Sequence, residues 1–370
     1  MSPAAPEAEK PKKAAASKSP DRVTPMMAQF LEIKAAHADA LLFYRMGDFY
    51  ELFFDDAVAA AAALDITMTH RGTHLGQAVP MCGVPYHASE GYLQRLIRAG
   101  FRVAICEQTE DPAAAKKRGA KSVVRREVVR LVTAGTLSEE TLLDAKTDNF
   151  IAAIACLGNV AADAGHSKTS GQWAVAWADM STGGFFAAKT NRADLSALLA
   201  RLAPREIIIP DAVAHAFSDA SVDSLEVNAL ITASINASAN PPMLSPVGDL
   251  ASPAAADAMR ARFGVACHDA LTAEGVAEGA VVTLACAHIL AYFEATQYDT
   301  QITLSAPRLE SDAQIMALDA ATRSNLELNC TLSGGREGSL LAAIDESVTA
   351  AGARLLAARL NAPLTERAMI

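Results

Sequence analysis

Leu42-Phe43-Tyr44-Arg45-Met46-Gly47-Asp48-Phe49-Tyr50-Glu51-Leu52-Phe53 joins an apolar run to an amphipathic one through a single turn, and it organises the first third of the chain. Leu41 to Tyr44 reads as a short strand stopped by Gly47-Asp48. Asp48 followed three residues on by Glu51 has the spacing of a capping box, which predicts a helix from Phe49 to about Ala63 with both acids in its first turn. Upstream, Thr24-Pro25 is a capping residue followed by proline where its missing N–H costs nothing, so a helix opens there and ends near His37. Downstream, Pro80, Gly83 and Pro85 exclude a regular helix over residues 78–87, which reads as a turn before a helix from Ser89 to Ala99. A strand from Phe101 to Cys106 and a β-branched run, Val123 to Val132, closed by Gly135, complete this unit.

Charge marks the same region off from the rest. The chain of 370 residues carries a net charge of −10, yet residues 1–137 hold 18 Lys and Arg against 15 Asp and Glu, so the deficit lies entirely in the remainder. Lys116, Lys117, Arg118, Lys121, Arg125, Arg126 and Arg130 fall within fifteen residues that contain one acid, Glu127. Such a density fits a surface that neutralises several phosphates, and equally a solvated loop and edge strand, since single basic clusters are common on protein surfaces. Phe49 beside Glu51 has two readings: a core or staple phenylalanine with a capping glutamate, which is the usual one at a helix start, or a base-stacking probe, since an apolar wedge costs a few kcal/mol of unstacking on intact DNA and less where pairing is defective, and a nearby acceptor rewards a displaced base edge.

Residues 148–270 alternate differently, with strands near Phe150–Cys156, Trp173–Asp179 and Gly184–Lys189, a helix from Ala193 to Leu202 and a strand at Glu206–Ile209, an α/β pattern. Gly158–Gly171 and Asp219–Pro246 are small and polar and read as surface loops. From Ala273 the pattern turns helical, over Val276–Gln297, Leu318–Leu328, Ser339–Ile344 and Ala350–Leu360, with Pro363 as a stop. The first 22 residues, rich in Ala, Pro, Lys and Ser, read as a disordered tail without the apolar core of a signal peptide. No run approaches the roughly 18 consecutive apolar residues of a spanning helix, the longest candidate being Ala57–Leu64, so no membrane is expected. Six cysteines without C-x-x-C spacing give neither a zinc site nor a disulfide framework, which fits a reducing cytoplasm.

The segment from Leu42 to Phe53 closely resembles the mismatch-recognition segment of the MutS family of bacterial DNA mismatch repair proteins. Further segments agree in order: Thr24-Pro25-Met26-Met27, Arg71-Gly72, Pro80-Met81-Cys82-Gly83-Val84-Pro85-Tyr86-His87, Ala104-Ile105-Cys106-Glu107-Gln108, Arg126 to Thr133, and Asp319 to Leu328. The resemblance implies an α/β and α multidomain fold: a mixed α/β mismatch-binding domain over 23–137, a ribonuclease H-like α/β connector over 138–270, and the start of an all-helical lever and core domain over 271–370. It implies that Phe49 stacks on a mispaired or unpaired base and Glu51 hydrogen-bonds it, with Arg71 near the DNA and Lys116, Lys117, Arg118, Lys121, Arg125 and Arg126 on its backbone. Implied partners are duplex DNA with mispairs or small insertion loops, MutL through the connector, and a second copy in a homodimer.

Departures accompany these matches. The family's Thr-Pro-Gly-Thr turn stands here as Thr133-Ala134-Gly135-Thr136, and its Thr-Pro-x-Gly turn as Thr349-Ala350-Ala351-Gly352. No G-x-x-x-x-G-K-[ST] loop occurs, so ATP and Mg, cofactors of the family, have no binding loop in these residues, and the chain reads as a fragment without ATPase or clamp and not as an enzyme. A nuclease is the competing class, with Asp148 and Asp179 as candidate metal ligands at strand ends. Asp commonly supports turns at such positions, which is the plainer account of both.

Overall fold

The computed structural model describes residues 23–119, 122–138, 142–158, 171–217, 241–273, 275–298, 302–310, 315–368 and 370. The tail expected over residues 1–22, Lys121 and most of the two polar loops lie outside the described residues.

A six-stranded sheet of β1 (Leu41–Met46), β2 (Phe49–Phe53), β3 (Thr69–His74), β4 (Gln77–Pro85), β5 (Val103–Gln108) and β6 (Arg126–Val132) forms the first unit, in the order β3-β4-β2-β1-β5-β6. Helix α1 (Pro25–Ala36) covers one face and α2 (Phe54–Leu64) with α3 (Ser89–Arg98) the other; α4 (Pro112–Lys117) lies in the β5–β6 connection. The α1 start is as expected: Thr24 Oγ1 accepts the Met27 N–H at 3.3 Å and proline stands in the first turn. Under α1, Phe30 meets the rings of Tyr44 and Phe53 edge-on at 5.5 and 5.0 Å.

Two expectations for this unit fail. Phe49 does not open a helix: Phe49–Phe53 is a strand, paired antiparallel with β1 (Met46 opposite Phe49) and β4 (Phe49 opposite Pro85), and the helix starts at Phe54. Tyr50 and Leu52 point into the α2–α3 side of the core, a period of two that outweighs the capping spacing. Gly47, at φ +60°, is the first residue of a two-residue hairpin turn, the place where only glycine is free of strain, so Asp48 caps nothing. Residues 77–85 are likewise a strand, not a turn. Pro80 is accommodated because it faces His70 on the edge strand β3, beside a bulge.

The second sheet holds β7 (Phe150–Leu157), β8 (Gln172–Asp179), β9 (Gly184–Thr190), β10 (Glu206–Pro210), β11 (Met243–Val247) and β12 (Arg308–Glu310), in the order β11-β10-β7-β8-β9-β12. β7, β8 and β9 form an antiparallel meander, and β10 and β11 add in parallel beside β7. Strand β11 corrects the reading of Asp219–Pro246 as loop throughout. One face is lined by alanines, including Ala153, Ala155, Ala174, Ala176 and Ala178, and takes α7 (Ser252–Phe263), α8 (Val265–Thr272) and α9 (Val276–Thr296). The other carries Trp173, Val175 and Trp177 against α5 (Leu195–Leu202) and α6 (Asp211–Phe217). Small side chains on one face let α9 lie close, while large ones fill the other.

Within α9, Gly279–Thr296 is long and apolar enough to cross a membrane, which the sequence survey passes over, but 78% of it is buried in this protein as the core helix of the second unit. The boundary expected at residue 270 therefore does not part α9 from the sheet it covers. Beyond it, α10 (Ala320–Asn325), α11 (Leu340–Ile344) and α12 (Ala350–Asn361) begin a helical segment, with Arg323 buried and donating to the Leu318 and Asn361 carbonyls. Asp319, Ser339 and Thr349 each cap a helix through a side-chain oxygen.

Candidate nucleic-acid interface

The hairpin turn at Gly47-Asp48 puts the start of β2 at one end of the first sheet, and β5 leads into α4 at that same end, because β1 and β5 run parallel. Phe49 stands there with 47% of its surface exposed, although its neighbours Tyr50 and Leu52 are buried. Alternation along the strand puts Glu51 on the same face as Phe49. Gly83, opposite Glu51, sits under both: a Cβ there would lie 3.8 Å from Glu51 Cγ and 3.9 Å from Phe49 Cδ1.

Arg71 completes the group. It lies in the bulge of β3 and its guanidinium is paired with the Glu51 carboxylate. Three residues singled out from sequence, at 49, 51 and 71, are thus brought together. Arg45 and Tyr86, which sequence reasoning passed over, flank the turn: the Arg45 guanidinium lies 3.4 Å from the centre of the half-exposed Tyr86 ring, and the Tyr86 N–H donates to the Asp48 carbonyl. A Pro-Tyr pair dismissed as turn was the signal available for them. Both lie on the face of Tyr50, opposite Phe49: the Tyr50 ring is 5.5 Å from the Arg45 guanidinium and 5.7 Å from the Tyr86 ring, its hydroxyl donates to Glu107, and burial, before that bond, pushes its phenol well up.

The basic cluster is not one surface. Lys116 and Lys117 are exposed at the end of α4, but Arg118 is tied to Glu110, and Arg125 pairs with Glu127. Arg126 is only 7% exposed: its guanidinium donates to the carbonyls of Arg45 (2.7 Å) and Val124 (2.9 Å) and lies over the Tyr44 ring. It braces the sheet from inside, so its place on the DNA backbone is withdrawn. Arg126→Ala removes the donor to two part-buried carbonyls and the guanidinium over the Tyr44 ring, and is expected to cost about 1–3 kcal/mol in denaturant unfolding while leaving the salt slope of DNA binding unchanged; a slope lowered by about one would restore it as a phosphate contact.

Asp179, a metal candidate, is 1% exposed and spends its oxygens on the Asn149, Ser181 and Thr182 N–H groups and the Ser181 hydroxyl. It is a turn support. Asp148 faces Arg354 at 3.6 Å, with its carboxyl raised by burial and by Asp179. Among the described residues no three metal-ligating side chains converge.

Three family models match the chain in order: MutS domain I over residues 24–141, MutS domain II over 149–307 and MutS domain III over 321–370. The chain belongs to the MutS family. It is 51% identical over 348 residues to the DNA mismatch repair protein MutS of Dinoroseobacter shibae, a match that takes in 94% of this chain and 36% of that protein. The chain thus spans about a third of its curated relative's length. Domain I of the family coincides with the first sheet and its Phe49 hairpin, domain II with β7 to β11 and the helices through α9, ending just before β12, and domain III with the helices from about Ala320 onward.

Proposed function

We propose that the first sheet reads duplex DNA for mispaired and unpaired bases in post-replicative mismatch repair, with Phe49 as the wedge and Glu51 as the acceptor for the base it meets. The observation that carries this reading is a half-exposed phenylalanine on a rigid strand, with a carboxylate two residues on along the same open face and an arginine at its side. A side chain on a strand pinned by two neighbours loses little freedom on insertion, which leaves more of the stacking energy for discrimination. Arg71 and the exposed Lys116 and Lys117 then serve as backbone contacts that hold register without reading sequence.

By resemblance, the second sheet is a ribonuclease H-like connector. The order of its five strands β7 to β11, a three-strand meander with two parallel additions, supports that topology. Docking of MutL on it, a homodimer, an all-helical core after residue 320, ATP and magnesium in a further domain, and work on chromosomal DNA in the cytoplasm belong to the same proposal for the whole protein.

Glu51→Ala tests the assignment. The pair with Arg71 is partly exposed and worth under about 1 kcal/mol, so unfolding should change little, while the ranking of affinities among single mispairs should change. An unaltered ranking in competition binding would remove Glu51 from recognition.

A further inference from the structure

Glu206 opens β10 with none of its surface exposed. A buried carboxylate is tolerated only where donors converge on it. Four do. Oε1 accepts from the Ser245 hydroxyl on β11 and from the Tyr292 hydroxyl on α9 at 2.5 Å, both within the second unit. Oε2 accepts from the Thr133 hydroxyl and from the Gly135 N–H at 2.8 Å, both on the turn by which the chain leaves β6 of the first unit.

The turn is shaped for this contact. A Cβ on Gly135 would stand 2.8 Å from Ile151 Cβ and 2.9 Å from both Glu206 Cβ and Oε2, so no larger residue fits. Thr136 Oγ1 in turn accepts the Thr133 N–H at 2.9 Å, and both threonines are fully buried. Other bonds between the units cluster around the same point: Arg102 donates to the Leu244 carbonyl and to Ser245 Oγ, Asn149 Nδ2 to the Ala134 carbonyl at 3.1 Å, and Gln297 Nε2 to the Leu131 carbonyl at 3.2 Å. A joint made of apolar surface slides with little penalty; one made of a buried carboxylate with all its donors in place has one geometry.

We propose that Glu206 is a positioning residue that fixes the base-reading unit on the connector by holding the Thr133–Gly135 turn, so that the wedge is pushed against the duplex by a rigid body. This rests on the reading of Phe49 as the wedge. Inserting an aromatic between base steps is work done on the DNA, and a unit free to pivot at its exit turn yields before the base stack does.

The test uses the full chain and three variants, Glu206→Met, Glu206→Gln and Thr133→Val, followed by amide hydrogen exchange and by anisotropy on a duplex with one unpaired thymine and on its matched counterpart. Methionine keeps the shape but accepts nothing from the turn; exchange in peptides covering residues 131–137 should rise at least tenfold, and the ratio of mispaired to matched affinity should fall at least threefold. Glutamine should rescue both readouts, because its oxygen can face the turn while its amide donates to the Ser245 and Tyr292 hydroxyls, which accept as readily as they donate. Thr133→Val removes one bond between the units and none within the second sheet, so it gives an intermediate rise even where Glu206→Met does not fold. Unchanged exchange at 131–137 in the folded variants, or a rise spread equally over β7–β9 and α9, would overturn the proposal. Absence of discrimination in the unaltered chain would count against the wedge alone, since the exchange result does not involve DNA.

Discussion

Phe49→Ala is expected to bind matched and mispaired duplexes with equal affinity, keeping the salt-sensitive attraction to the backbone and losing discrimination of about tenfold, or about 1.4 kcal/mol. The side chain is half exposed and contributes little to the core, so the variant should fold. Its neighbours on that face, Glu51 and Gly83, and the lysines at 116 and 117 are untouched, so affinity for the matched duplex should hold. Anisotropy titrations at low salt on both duplexes decide the matter. Equal weakening on the two would make Phe49 a general contact, and an unchanged ratio would remove it from recognition.

Phe30→Ala is expected to have the largest effect on stability. Phe30 is 1% exposed, packs against Tyr44, Phe53 and Phe54, and with Met27 joins α1 to the face of the sheet that carries the recognition residues at its open end. Truncation leaves a cavity among three rings that cannot collapse around it, at a cost of about 3–5 kcal/mol. Denaturant unfolding monitored through the first unit should show this loss, with faster amide exchange in β1 and β2 and unchanged exchange in β7 to β9. A loss below about 1 kcal/mol would mean that α1 is held by something other than this cluster.

These two residues also show what the sequence made legible. Thr24-Pro25 and Ser339 specify helix starts through their own side chains, a local signal, and both caps form. Asp48 and Glu51 carry the same kind of signal and form none, because Phe49–Phe53 alternates with a period of two and is captured between β1 and β4, a decision made by tertiary pairing. Strand β3 had no sequence mark at all: Thr69–His74 contains no large apolar residue and sits exposed at the sheet edge, yet it delivers Arg71 to Glu51. Helix α9 forms where its periodicity predicts, over Val276–Thr296, but threonine, histidine and glutamate interrupt its apolar run, so that its place on the alanine face of the second sheet shows only in the structure.

The site was legible in part, for a similar reason. Phe49, Glu51 and Arg71 could be named from the segments they occupy, and their convergence required the pairing of β2 with β4 and of β4 with β3. Charge density alone could not separate Lys116 and Lys117, which face outward, from Arg126, which faces Tyr44. Glu206 is one acid among many in an acidic region. Only the geometry brings Thr133, Gly135, Ser245 and Tyr292 around it.

The central claim is that Phe49 stacks on the defective base. Its most direct test is photocrosslinking with 5-iodouracil in place of a single unpaired thymine, followed by mass spectrometry of the linked peptide. Crosslinks at Phe49 on the unpaired duplex and none there on the fully matched one are the predicted result. Crosslinks confined to the 109–125 connection, or equal yields on the two duplexes, would contradict it.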